Sequence, residues 1–179
     1  MKIALTGGIA CGKSLLSSYL NSFGIETLDA DDIVHELIPA EERRRIASVI
    51  FGDKAARKAL EARIHPLVRS RLEAWEDGAA EGSIRLSVIP LLFEVHWDGK
   101  YDIICCVASK RENQIARMVA TRGYSREDAE ARLAAQMPVC EKAARSQYII
   151  QNDGTAEELR MKAQAFADWL KEIRNGRRT

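Results

Sequence analysis

Five short, nearly unbroken apolar runs punctuate this chain: KIALTG around Ile3, IETLDA around Ile25, IRLSVIP around Val88, YDIICCVAS around Ile104 and SQYIIQND around Ile149. Each is brief and rich in β-branched or aromatic residues, which suits strands covered on both faces. Between them the apolar spacing turns helical, in KSLLSSYLNSF, SKRENQIARMVATRG and TAEELRMKAQAFADWLKEIRNG. Gly123 is placed to stop the second of these helices. Thr155 is placed to cap the third, and Glu158 completes a capping box. Strands alternating with helices predict an α/β fold, a five-stranded parallel sheet with helices on both faces.

Two helical stretches interrupt the alternation. Residues 35–79 carry no strand signal; Asp53 reads as an N-cap there, and Pro66 suits the first turn of a new helix. Residues 123–146 are helical and polar, with Ser125 as a cap. Both follow strand C-terminal ends, where open α/β sheets bind ligands.

Composition narrows the function classes. A length of 179 residues suits one domain with a real core. The net charge of +1 provides no broad field for nucleic acid or an anionic membrane, although a local anion site would not register in that sum. No segment approaches the length of a membrane span, and MKIALTGG is too short and too glycine-broken for a signal peptide. Cys11, Cys105, Cys106 and Cys140 fit neither a zinc ligand set nor a disulfide framework. A reducing, cytoplasmic location is expected. Cys105 and Cys106 are expected in the core, on opposite faces of one strand, with Cys11 the more accessible thiol.

The most specific signal is GGIACGKS, Gly7 to Ser14, which fits G-x-x-x-x-G-K-[ST] with Gly7, Gly12, Lys13 and Ser14 in the fixed places. The glycines let backbone N–H groups turn around a phosphate where a Cβ would obstruct. Lys13 can bridge the β- and γ-phosphates, Ser14 can ligate Mg²⁺, and the following helix points its positive end at the anion. Such a match arises by chance in roughly one chain in a hundred or fewer, and the strand before and helix after reduce that further.

Other residues gather at the same sheet edge. Asp29, Asp31 and Asp32 sit where the second strand becomes a helix; helix capping accounts for Asp32. Asp31 is placed either to accept a proton from a substrate hydroxyl or to help hold Mg²⁺. Pro90 ends the third strand, leaving Leu91, Leu92 and Phe93 either as core closure or as an acceptor pocket with Glu94 at its polar end. His65, Pro66 and Arg69 lie in the inserted helical region; a lone His is most simply structural, whereas Arg69 can meet an anion. Arg117, Arg122, Arg126 and Arg132 form either a solvated helical face or guanidinium groups that close over a phosphate.

The ordered set LTGGIACGKS, DAD, HPLVR, PLLFE, an Arg-bearing helix, AAQMP and IIQNDG resembles the dephospho-coenzyme A kinase family over almost the whole chain. That resemblance implies a P-loop kinase of the nucleoside-monophosphate-kinase-like type, using ATP and Mg²⁺ to phosphorylate the ribose 3′-hydroxyl of the small-molecule substrate dephospho-coenzyme A. It implies a nucleotide-binding core at 1–34, 80–116 and 147–179, a helical acceptor insertion at 35–79 and a lid region at 117–146. Gly7, Gly8, Ala10, Cys11, Gly12, Lys13, Ser14 and Leu15 would cradle ATP, with Asn152 and Gly154 near its adenine. Asp31 matches the family's base, and Lys13, Arg117 and Arg122 its phosphate contacts. Asp31, His35, His65, Pro66, Arg69 and Pro90 to Glu94 would hold the acceptor. The stretch from Ile38 to Arg45 is shorter than the family pattern. A related small-molecule or nucleotide kinase on the same fold is the nearest alternative; a nucleotide-dependent switch is a second, although no N-K-x-D guanine signature is present.

Overall fold

The computed structural model describes residues 1–39, 41 and 54–176. Five strands form one sheet: β1 (Ile3–Gly7), β2 (Ile25–Asp29), β3 (Ile84–Val88), β4 (Ile103–Ala108) and β5 (Tyr148–Gln151). They pair in parallel in the order β2-β3-β1-β4-β5. All five apolar runs are therefore strands, and β1 and β4 are buried along their whole length. The register sets Asp29 beside Val88, Gly7 beside Val107 and Ala108 beside Gln151. Loops leaving the five strands consequently meet at one edge.

The helices are α1 (Lys13–Ser22), α2 (Ala30–Leu37), α3 (Lys54–Asp77), α4 (Arg111–Arg122), α5 (Arg126–Ala134), α6 (Val139–Ala144) and α7 (Ala156–Arg174). Alternate strand residues face opposite sides. Ile3, Leu5 and Cys105 pack with Leu16, Leu20, Phe166 and Leu170 of α1 and α7. Ala4 and Ile104 pack on the other side with Ile33, Val68 and Leu72 of α2 and α3 and with Leu92 and Phe93. Cys106 is buried as well. A smaller cluster of Ile115, Met118 and Ala129 fixes α5 against α4. Several local signals act as read: Ser125 caps α5, Gly123 ends α4 in the left-handed region, and Thr155 and Glu158 close both bonds of their capping box.

Three expectations differ. Pro66 does not begin a helix; α3 runs through it. The Ala62 carbonyl loses its helical donor there, but Ala62 and Pro66 are both exposed, so water can take its place. The cap of α2 is Asp29, whose Oδ1 accepts the Asp31 amide at 2.9 Å, and not Asp32. Cys11 is fully buried and Cys140 is the exposed thiol, because the Cys11 side chain turns inward onto the sheet. Asp53 and the residues from 42 to Arg45 lie outside the described residues.

Candidate active site

The loop between β1 and α1 takes a conformation that its glycines permit. Gly7 has φ 148°, Gly12 φ 95° and even Ala10 φ 57°. A Cβ on Gly7 would collide with the Val107 carbonyl, and one on Gly12 with the Asn152 side chain. Gly12 precedes α1 without any side-chain cap, which leaves the first amides of the helix open. Those amides, the helix dipole and Lys13 make a cradle for an anion. Lys13 Nζ donates to Gly7 O at 3.1 Å and Gly8 O at 3.0 Å. Burial pushes the Lys13 ammonium below its ordinary value, Lys142 acts in the same direction, and Asp29 and Asp31 act against them. A triphosphate entering here would restore the charge that burial disfavours.

A cleft of about 240 Å³ lies over this loop, lined by Ala10, Gly12, Lys13, Ser14, Leu15, Asp29, Asp31, Pro90 and Arg122 together with Ile9 and Gln136. Asp31 and Ser14 are exposed in it. Burial raises the Asp29 carboxyl, opposed by the Asp31 amide and reinforced by the charges of Asp31 and Asp32. Arg122 makes no hydrogen bond or ion pair with the described residues and faces this cleft. A second cavity, of about 530 Å³, is lined by Glu61, His65, Leu91, Glu94, Arg132 and their neighbours, again including Ile9 and Gln136. The two clefts therefore meet at Ile9 and Gln136. Neither residue stood out in the sequence, because an apolar P-loop residue and a Gln in AAQMP carry no chemistry of their own.

Several candidates sit elsewhere. Arg117 turns away from the cleft: its guanidinium donates to Ala10 O at 3.3 Å, Asn152 O at 2.9 Å and Ser109 Oγ at 3.3 Å. Asn152 is buried behind the loop, with Nδ2 on Cys11 O at 2.8 Å. Gly154 leaves room for Glu158 to close its capping box. Cys11 contributes backbone only, and Gly8 lines an adjoining apolar cavity. Leu92 and Phe93 are core closure, and Arg145 covers the Phe93 ring at 4.2 Å. Pro66 is exposed, and neither it nor His35 lines these two clefts. Arg69 pairs with Glu73 at 3.0 Å and lies in a separate cavity beside Lys2 and Trp97. His65 lines the larger cleft and meets the Trp97 ring edge-on, 5.9 Å between centroids. Arg126 belongs to the solvated face, paired with Glu112 and Glu130.

Two networks escaped sequence reading. Asp153 is partly desolvated, yet its carboxyl is held well below the usual range by the Lys110 amide and by Gln151, Asn113 and Ser109. It ties the loop after β4 to the loop after β5. Lys142 is fully buried, with Nζ 2.7 Å from Glu94 Oε1 and 2.7 Å from Pro90 O. The Met137 amide donates to the same Glu94 oxygen at 3.1 Å.

A pinned glycine loop at the edge of a parallel sheet in this strand order, opening onto a second cleft under helical segments, defines a P-loop kinase. The family model described as Dephospho-CoA kinase matches residues 1–42 and 40–158, and the chain belongs to that family. A dephospho-CoA kinase of Geobacter sulfurreducens is 38% identical, over 94% of this chain and 97% of its own length. One from Thermus thermophilus is 36% identical, over 88% of this chain and 85% of its own. A Thermus thermophilus crystal structure superposes with a TM-score of 0.77 at 34% identity, covering 95% of this chain and 97% of that one. A shikimate kinase from Bacteroides thetaiotaomicron shares the fold alone, with a TM-score of 0.62 at 15% identity over 96% of this chain and 98% of that one. Among the described residues, no helix is long and apolar enough to cross a membrane.

Proposed function

We propose that the chain transfers the γ-phosphoryl group of ATP to the ribose 3′-hydroxyl of dephospho-coenzyme A, the last step of coenzyme A synthesis. The observation that carries the reading is the junction of the two clefts at Ile9 and Gln136, with Asp31 on the phosphate side and His65, Leu91, Glu94 and Arg132 on the other. An acceptor in the larger cleft can present a hydroxyl to a phosphate held over the P-loop. In-line transfer depends on such positioning and on neutralising charge.

Asp31 accepts the proton of the attacking hydroxyl as the new O–P bond forms and the bond from the γ-phosphorus to the β,γ-bridging oxygen breaks. Lys13 and Arg122 face the phosphates. The exposed Ser14 hydroxyl, with Asp29 and Asp31 in the same cleft, suits Mg²⁺ held mostly by phosphate oxygens and water. No group of three or more His, Cys, Asp or Glu among the described residues could hold a metal by itself. Bound Mg²⁺ would neutralise charge between the phosphates. The nucleotide-binding parts are 1–34, 80–116 and 147–179, the acceptor insertion is 35–79 and the lid region is 117–146.

Transfer from ATP should be measured with dephospho-coenzyme A beside adenosine and AMP. Preference for either of the latter would move the reading to a related small-molecule kinase. Asp31→Asn should leave ATP affinity nearly intact and lower kcat by about 10²–10⁴-fold. A near-normal kcat at saturating Mg²⁺ would remove the base role.

A further inference from the structure

The carbonyls of the P-loop are occupied in an unbroken run, two by Lys13 and three by side chains from distant parts of the chain. Lys13 takes Gly7 O and Gly8 O. Ile9 O accepts from Gln114 Nε2 at 2.7 Å, Ala10 O from Arg117 Nη1 at 3.3 Å and Cys11 O from Asn152 Nδ2 at 2.8 Å. In a trans peptide the C=O and the following N–H point in opposite directions. Each held carbonyl therefore sets the direction of the next amide. The Cys11 amide is used within the loop, donating to Gly8 O at 3.3 Å. The Ile9, Ala10 and Gly12 amides make no such bond among the described residues and lie beside the open first turn of α1.

Gln114 stands out within this belt. It is 2% exposed and shares the buried face of α4 with Ile115 and Met118. Its amide also lies against Gly8, where an added Cβ would come within 2.5 Å of Nε2. A buried glutamine on an otherwise apolar face incurs a desolvation cost that Leu or Met would not.

We propose that Gln114 is a positioning residue of the phosphate cradle: by holding Ile9 O it aims the Ala10 amide at the triphosphate. The inference rests on the P-loop being the triphosphate site. Gln114→Met keeps length and apolar packing, Gln114→Glu keeps shape, and both remove the donor at neutral pH. Dissociation constants for ATP and for adenosine, measured by calorimetry on wild type and both variants, separate the alternatives, with a thermal melt as the fold check. ATP should weaken roughly 10-fold or more, as for the loss of a hydrogen bond to a charged group, while adenosine is unchanged. A folded variant that keeps the wild-type ratio of the two affinities overturns the proposal and leaves Gln114 as core packing. A wild-type ratio near one overturns the P-loop reading itself, and the proposal with it. Should neither variant fold, the nitrogen-labelled wild type decides. Its Ala10 amide resonance should shift with ATP and not with adenosine, and an unmoved resonance overturns the proposal.

Discussion

Lys142 and Glu94 allow an asymmetric test of how the acceptor side is held together. Lys142 has no exposed surface, and its ammonium has two partners, the carboxylate of Glu94 and the carbonyl of Pro90. The Glu94 side chain is 24% exposed, so its own desolvation is incomplete. Glu94→Gln conserves size but removes the counter-charge and leaves a buried cation beside neutral oxygens. Breaking a buried pair from one side costs about 3–5 kcal/mol; because Pro90 O and the new amide oxygen still accept, the lower end applies, about 3 kcal/mol. For a chain of 179 residues, each kcal/mol moves Tm by about 2–4 °C, so a fall of about 6–12 °C is expected. Lys142→Met should cost less, because the carboxylate left behind keeps the Met137 amide on Oε1 and belongs to a partly exposed side chain, although its Oε2 is buried without a hydrogen-bond partner. The double variant should be more stable than Glu94→Gln alone, since replacing both charges is often nearly neutral. Thermal and urea unfolding of the four proteins complete the cycle. A Glu94→Gln melt within about 2 °C of wild type, or a double variant no better than the sum of the singles, would refute the argument.

Other outcomes follow from the same geometry. Lys13→Ala should abolish transfer while far-ultraviolet dichroism stays that of the wild type, because among the described residues the Lys13 ammonium bonds only to the Gly7 and Gly8 carbonyls; unchanged turnover would remove the P-loop assignment. Asp153 is more acidic folded than its ordinary 3.8. Its contribution is therefore complete above about pH 4 and is lost as pH falls through the depressed folded value. Asp153→Asn should flatten the acid limb of a Tm against pH curve, and an unchanged limb would count against the network. Alkylation of the folded protein at neutral pH should modify Cys140 alone, since Cys11, Cys105 and Cys106 are buried and burial pushes the Cys106 thiol up to about 12. Adducts on Cys105 or Cys106 of folded protein would contradict the core assignment.

What the sequence revealed, and what it hid, divides along the range of the interactions. Strands such as Ile103–Ala108 were legible because a doubly covered strand must be apolar throughout. The capping box at Thr155 and Glu158 was legible because both partners lie within one turn. The P-loop was legible because its glycines answer a backbone requirement that no other residue meets as well. The cap of α2 was assigned to Asp32 and belongs to Asp29, because three nearby aspartates compete for it and only backbone dihedrals decide among them. Arg117 was placed on the phosphates, although its guanidinium serves carbonyls behind the loop. The Lys142 pair with Glu94 joins residues far apart in the chain and leaves no local pattern. Gln114 did leave one, a polar residue on the apolar face shared with Ile115 and Met118.

The belt of donors behind the glycine loop also bears on how the chain matures. The loop is made well before its supports, since its carbonyls are held by residues 105, 107 and 141 positions later. A nascent chain that has emerged only through α3 has the whole motif and none of its outer supports. Nucleotide capture thus waits on closure of the sheet by β4 and β5, a long-range step of the kind that slows folding. Once formed, the site links the loop after β1 to the loop after β5, and ligand held there stabilises the two together.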